Sequence, residues 1–289
     1  MEVMRQGSFA AVARERNIDP SSVSRAIALL EQELGVKLLQ RTTRQISPTE
    51  AGTTYFNRIE PLVEELQQAV ELVSDISGSP KGTIRVTASV SFGIQCIVPL
   101  LDKFQAKYPE LTIELLLTDA VVDLLTDRVD LAVRLGLLED STLIAQRLIK
   151  TNYVVCASSR YLERKGEPNQ PNNLDQHNCL LFPLAGFRSR WLFKDRAGLI
   201  ETIPVKGNTI ISNAIALKQC TLSGMGLTLL PRWLIDPELE SGKLTQVLSE
   251  YEVTATDFNT SAWLVYPSRT YVPLKVRLLV DFLKQHFLK

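Results

Sequence analysis

Histidine is nearly absent from this chain. There are two, His177 and His286, in 289 residues, neither in a recognisable catalytic neighbourhood, and no GxSxG stretch occurs. An enzyme is therefore disfavoured. Cysteine is sparse as well: Cys96, Cys156, Cys179 and Cys220 lie far apart in apolar contexts, with no CxxC pair and no Cys/His cluster. Buried, reduced thiols are expected, with no structural metal and no cofactor. Long hydrophobic runs are missing too, none approaching the ~18–20 residues that span a bilayer. With no signal-peptide pattern either, a cytoplasmic protein without a membrane partner is expected. Net charge is zero, from 32 basic and 32 acidic residues. Balance of this kind excludes little, because the local distribution of charge sets the field. Residues 1–48 hold seven Arg/Lys against five Asp/Glu, whereas residues 49–77 hold one Arg against six acids.

What is present begins at Ser8–Ile46. Ser8 is placed to cap a first helix carrying Phe9, Val12 and Ala13, and Asn17-Ile18 breaks it. Asp19 then stands as a cap with Pro20 at the first helical position, the order of a helix start. The helix that follows sets Val23, Ala26, Ile27, Leu30 and Leu34 on one stripe, and Gly35 stops it. Its other face opens with Ser21, Ser22, Ser24 and Arg25. Short hydrogen-bonding groups permit close approach to base edges, and an Arg forks onto guanine or a phosphate, so this end suits the major groove. Leu38–Arg41 and Arg44–Ile46 flank Thr42-Thr43 as a two-stranded wing with its arginines at the tip, suited to phosphates or the minor groove. The competing reading is a small helical hairpin with a solvated Ser/Arg face.

The stretch AAVARERNIDPSSVSRAIALLEQELGVKLLQRTTRQISPTEAG resembles the winged helix-turn-helix of LysR-type transcriptional regulators. The match is dense and ungapped. The resemblance implies a DNA-binding regulator whose C-terminal half is periplasmic-binding-protein-like and takes a small-molecule effector. Ser21, Ser22 and Arg25 are then expected to read bases, while Pro20 opens the helix and Ser24, Arg41, Thr42, Thr43 and Arg44 hold phosphates or wing contacts. Two positions depart from the family pattern: Met1–Gln6 matches only the last turns of the first helix, and Arg16 stands where an apolar residue usually faces the core. Translation from an upstream start, or a shortened domain that binds effector but grips DNA poorly, are the expectations these raise.

Ser47-Pro48-Thr49-Glu50 opens a further helix, with Ser47 or Thr49 as cap. Beyond it Tyr55, Ile59, Leu62, Leu66, Ala69, Val73 and Ile76 step by four and three, a heptad seam widened by Phe56, Val63 and Val70. Such a seam is best buried against a second copy, giving a dimer or, beyond it, a tetramer; the alternative is a helix folded back on its own C-terminal half. Pro61 removes one donor and is expected to kink the rod. Ser77–Gly82 reads as a hinge.

From Thr83 the pattern is strand (Thr83–Ala88), helix (to Tyr108), strand (Leu111–Leu117), short helix (Val121–Thr126), strand (Asp130–Leu135), which argues a parallel sheet. GTIRVTASVSFGIQCIVPLLDKFQAKYPELTIELLLTD and DLAVRLG resemble the first subdomain of the LysR-type effector module, and residues 159–262 its second, including Ser212-Asn213-Ala214 and the glycine-rich Gly224–Pro231. Trp263–Tyr266 reads as the returning strand and Pro273–Leu288 as a closing helix. The expected fold is mixed: a winged helix-turn-helix (1–48), a linker helix (49–77), a hinge (78–82) and a two-subdomain α/β effector domain (83–289). Its subdomain I comprises 83–158 and 263–289, and subdomain II 159–262.

Ligands of open parallel sheets bind beyond the carboxyl ends of strands. Ser89, Ser91, Thr118, Asp119, Arg134, Ser212 and Asn213 fall at such ends and are expected to line a cleft for a small anion, a carboxylate. The plainer alternative makes each Ser or Thr an N-cap and Arg134 a surface ion-pair partner. Partners expected overall are double-stranded DNA, a small-molecule effector and a second copy of the chain, with RNA polymerase as a further candidate.

Overall fold

The structure is a computed structural model that describes residues 1–41, 46–76, 80–137, 143–267 and 272–287; the side chains of residues 41, 64, 67, 68 and 70–76 lie outside the description. Two compact units are present, Met1–Ser79 and Pro80–Lys289.

In the first unit the helix signals act as written. Helices α1 (Glu2–Gln6), α2 (Phe9–Arg16) and α3 (Pro20–Leu34) precede strands β1 (Leu39–Arg41) and β2 (Ile46–Pro48) and helix α4 (Glu50–Ile76). Ser8 Oγ accepts from the Ala11 N–H at 3.2 Å, Asn17 closes α2 in the left-handed region at φ 51°, and Asp19 Oδ1 accepts from the Ser21 N–H at 2.7 Å. Val3, Val12, Ala13, Val23 and Leu39 form the core. The α3 stripe is narrower than expected: Ala26 and Leu34 are exposed, and Ile27 and Leu30 only half-buried. Arg16 is exposed.

At the start of α4 the cap is Thr49, whose Oγ1 accepts from the Gly52 N–H at 2.9 Å. Ser47 is taken by the β1–β2 ribbon, opposite Gln40. Gly52 admits no side chain, since a Cβ there would lie 1.9 Å from the Leu38 carbonyl oxygen. Helix α4 continues through Pro61 for 27 residues.

The second unit is two lobes. The first has β3 (Gly82–Ala88), α5 (Val90–Phe92), a π-helical stretch (Gly93–Ile97), α6 (Val98–Lys107), β4 (Leu111–Leu117), β5 (Leu131–Gly136) and β6 (Leu143–Lys150). The second lobe follows with β7 (Tyr153–Ser158), α7 (Ser159–Lys165), β8 (Cys179–Leu181), β9 (Arg190–Lys194), β10 (Ile200–Pro204), β11 (Thr209–Ile210), α8 (Ala214–Leu222), β12 (Leu227–Pro231), α9 (Arg232–Glu240), β13 (Leu244–Val247) and β14 (Glu252–Thr254). Strand β15 (Ser261–Pro267) and helix α10 (Leu274–Phe287) return to the first lobe. Its sheet runs β4-β3-β5-β15-β6, with β15 antiparallel to both neighbours, so the sheet is mixed rather than parallel throughout.

Two further expectations are corrected. Residues 121–126 form no helix: Asp123 Oδ1 accepts from the Leu125 and Thr126 N–H groups, bending the chain into turns instead. The lobe boundaries are also not at 158 and 263. Strand β7 pairs with β12, β13 and β14 of the second lobe, so the outward crossing is Thr151-Asn152; β15 begins at Ser261, so the return ends there. The physical reason is that β7 is central. Val155 and Ala157 face one core cluster while Val154 and Cys156 face another, so its continuous apolar run belongs between two layers. Trp191, in the stretch least legible from the sequence, is among the largest fully buried side chains and lies on β9.

Candidate DNA-contact face and effector cleft

In the first unit Pro20, Ser21, Ser22 and Arg25 are exposed at the N-terminal end of α3, and Ser24 is half-buried. Arg25 Nη2 donates to Ser21 Oγ at 3.2 Å, laying the guanidinium back along the helix toward its N-terminus. Side chains one turn apart meet on one face, so the serine and the arginine share a surface. The β1–β2 ribbon has the antiparallel register expected of a wing, Leu39 opposite Pro48 and Arg41 opposite Ile46. The Arg41 side chain and Thr42, Thr43 and Arg44 lie outside the described residues.

A residue the sequence reasoning missed ties ribbon to helix. Glu31 is 6% exposed near the end of α3, and its Oε1 accepts from the backbone N–H groups of Leu38 (2.9 Å) and Leu39 (3.1 Å). Lys37 Nζ donates to Oε2 at 2.7 Å. Burial alone raises the carboxyl pKa, but the Lys37 and backbone bonds together outweigh it and hold the group below the usual glutamate value. A glutamate seven residues before two leucines carries no periodic signal, which is why it passed unnoticed.

Along α4, Tyr55 and Ile59 are half-buried, while Leu62 is 59% and Leu66 66% exposed, and Ala69 is exposed. The Val73 and Ile76 side chains lie outside the description. The described seam is thus an apolar strip largely open to solvent.

The cleft follows from strand direction. Strands β3, β4 and β5 are mutually parallel, and β15 is antiparallel to both β5 and β6. Their carboxyl ends therefore lie at the same edge as Lys150, where the chain crosses out. In the second lobe β8 and β11 are parallel to β12, which is antiparallel to β7, so their carboxyl ends lie at the edge where the chain crosses in. Ser89, Ser91, Thr118, Asp119 and Arg134 fall at the first edge, and Ser212 and Asn213 at the second.

Their individual states differ. Ser89 Oγ is buried and has no hydrogen-bond partner among the described residues. Ser91 is buried in the first turn of α5. Thr118 Oγ1 accepts from the Ala120 N–H at 3.2 Å. Asp119 Oδ1 accepts from the Val90 N–H at 3.1 Å, so it serves the start of α5 and sets a negative charge there. Arg134 is half-buried and makes no surface ion pair in the described contacts; its Nη2 donates to the Val122 carbonyl at 2.8 Å, and burial lowers its pKa. Asn213 is a cap, accepting from the Ala216 N–H at 3.1 Å, while Ser212 is exposed. For Thr118, Asp119 and Asn213 the local backbone role is thus realised. Among the described residues no cluster of three or more His, Cys, Asp or Glu could hold a metal, and no helix is long and apolar enough to cross a membrane.

A helix-turn-helix with a ribbon, followed by a two-lobed ligand-binding domain, defines a class of effector-responsive transcriptional regulators. The model of the bacterial regulatory helix-turn-helix protein, lysR family, matches residues 1–53, and that of the LysR substrate binding domain matches residues 77–288. The chain belongs to the LysR family of transcriptional regulators. It is 34% identical to the HTH-type transcriptional regulator DmlR of Escherichia coli K12, over 99% of this chain and 92% of the relative. The structure of CrgA, a LysR-type regulator from Neisseria meningitidis, is 32% identical with a TM-score of 0.66, covering 99% of this chain and 96% of that one. Full-length AphB, a Vibrio cholerae virulence activator, matches at 28% identity and TM-score 0.64, covering 99% and 96%. The relatives are regulators rather than enzymes, and the match across residues 1–53 does not favour a chain that has lost its grip on DNA.

Proposed function

We propose that the chain works as a homodimer that reads a duplex through α3 and is gated by a small carboxylate held between the two lobes. The observation that carries the DNA reading is the free, Asp19-capped end of α3 with Ser21, Ser22 and Arg25 exposed together. These residues take base edges, while Pro20 sets the helix entry and Ser24, Arg41, Thr42, Thr43 and Arg44 take phosphates. The seam Tyr55, Ile59, Leu62, Leu66, Ala69, Val73 and Ile76 pairs with a second copy, a reading supported by the open apolar strip at Leu62 and Leu66. Pairs of dimers assembling on DNA and contact with RNA polymerase extend the same reading, in the cytoplasm where the DNA lies.

For the effector, the supporting observation is the Ser89 hydroxyl at the carboxyl edge of β3, without a partner among the described residues, with Arg134 supplying the cation and Ser91 and Ser212 further hydroxyls. Asp119, committed to the Val90 N–H, disfavours a second negative charge at that end of the ligand. A thermal-shift screen of small monocarboxylates on the full chain tests this. At least one is expected to stabilise it, with the shift lost in Ser89→Ala and in Arg134→Ala. Stabilisation by uncharged compounds alone would overturn the carboxylate assignment.

A further inference from the structure

Between the outward and return crossings of the two lobes lies a groove of about 300 Å³. It is separate from the effector cleft. None of the seven residues expected to line that cleft borders it. Lys150 ends β6, two strands from β5, which carries Arg134, and three from β3, or about 10 and 14 Å at ~4.8 Å per strand. Its size falls at the lower end of small-molecule sites.

The lining is polar and carries both signs of charge. Thr151, 3% exposed, has an Oγ1 that is buried with no hydrogen-bond partner among the described residues. Lys150 and Asp257, the latter on the return segment, both line it, and Asp257 Oδ1 accepts from the Asn259 N–H at 2.7 Å. Glu252 is paired with Lys194, and that bond, with the nearby Lys150 charge adding to it, holds its carboxyl below the usual glutamate value, so the groove holds Lys150 near Glu252, with Asp257 as a further carboxylate. Tyr153, Tyr251 and Phe258 supply aromatic walls, and Tyr153 is backed by Phe187 at 5.5 Å between ring centroids. A hydroxyl without a partner among the described residues, a cation and two carboxylates lining one small ring-walled groove match a zwitterion better than a simple anion.

We propose that this groove is a second ligand site, for a free α-amino acid. The carboxylate lies toward Lys150 and the Thr151 hydroxyl, the ammonium toward Asp257, and the side chain against the rings. The two crossings are joined here by Thr151 N–H to Thr260 carbonyl at 2.9 Å and Thr260 Oγ1 to Thr151 carbonyl at 3.3 Å. A ligand touching both crossings has its affinity linked to the angle between the lobes.

The test uses the full chain and the common L-amino acids, with their N-acetyl and methyl-ester forms as charge-blocked probes, read by thermal shift and calorimetry. At least one free amino acid is expected to bind, with each blocked form weaker by about tenfold or more. Thr151→Val removes only a hydroxyl that has no partner among the described residues, so it is expected to melt like the parent without ligand and to lose amino-acid binding about tenfold. Asp257→Asn is expected to lose it likewise, whereas Ser89→Ala retains it. The proposal is overturned if no amino acid binds or if blocked forms bind equally well. It is also overturned if binding survives Thr151→Val and vanishes in Ser89→Ala, which would assign the ligand to the effector cleft.

Discussion

Removing the Glu31 carboxylate should unfasten the wing from the helix that carries it. In Glu31→Ala the N–H groups of Leu38 and Leu39 lose their acceptor, and both residues are buried. Each stranded donor costs about 1–3 kcal/mol, so a loss on the order of 2–6 kcal/mol is expected for the first unit. Glu31→Gln keeps an oxygen for both donors and loses only the charged character of the bonds, for about 1 kcal/mol. A convenient asymmetry separates this effect from a global one: Trp191, Trp233 and Trp263 all lie in the second unit. Tryptophan fluorescence in a urea titration therefore should keep its midpoint, while far-UV circular dichroism gains an earlier transition and exchange of the Leu38 and Leu39 amides accelerates. The pH dependence has a definite sign. Because the folded pKa lies below the ordinary glutamate value, the stabilisation is full above that ordinary value and disappears as pH falls through the lowered one. Glu31→Gln should lack that acid-side slope. Unchanged amide protection in Glu31→Ala, or a fluorescence midpoint that moves with it, would refute the reasoning.

Two further outcomes concern DNA and self-association. Arg25→Ala is expected to weaken specific operator binding by about 1–3 kcal/mol in a gel-shift titration at fixed salt; an equal loss on random duplex would instead make Arg25 a phosphate contact. Leu62→Glu combined with Leu66→Glu sets charges on the open strip of α4 and should shift sedimentation from dimer toward monomer at micromolar concentration, an expectation undone if the mass stays that of the parent protein.

Where the sequence was legible, a local rule with one outcome was at work. Asp19-Pro20, Ser8 and Gly35 each fix a helix end through a backbone geometry that few alternatives satisfy, and α2 and α3 run between them as expected. The crossing between lobes was misjudged because β7 reads the same whether it closes one sheet or centres the next; only its partners β12, β13 and β14 decide. Val121–Thr126 has apolar spacing that suits a helix, yet the Asp123 side chain captures the N–H groups of Leu125 and Thr126 and diverts the backbone into turns. Ser47 and Thr49 were equally good caps by composition, and pairing of Ser47 with Gln40 in the ribbon leaves the role to Thr49. At the cleft, residue types located the strand ends, but whether a hydroxyl is free, as at Ser89, or spent on its own backbone, as at Thr118, depends on partners distant in the chain or on exact turn geometry.

What resists separation of the lobes is a further quantity the contacts allow to be ranked. The Thr151–Thr260 link supplies two neutral hydrogen bonds, each contributing about 1 kcal/mol net. Trp233, in α9 of the second lobe, packs against the core clusters of both lobes and meets fully buried Phe92 edge-on, with ring centroids 5.1 Å apart. Truncating a core aromatic residue costs about 3–5 kcal/mol; Trp233 is half-buried, so its contacts together lie toward the lower end of that range and still outweigh the hydrogen bonds. Lobe motion in response to a ligand is then expected to pivot on Trp233 and leave Phe92 covered. Trp233→Phe keeps a ring and removes an indole N–H that has no partner among the described residues, so it should change stability by less than ~1.5 kcal/mol. Trp233→Ala should split the unfolding of the second unit, followed through Trp191 and Trp263, into two steps as the lobes lose their coupling. A single transition shifted by less than about 1 kcal/mol would mean that the crossings themselves, rather than this aromatic pair, hold the lobes together.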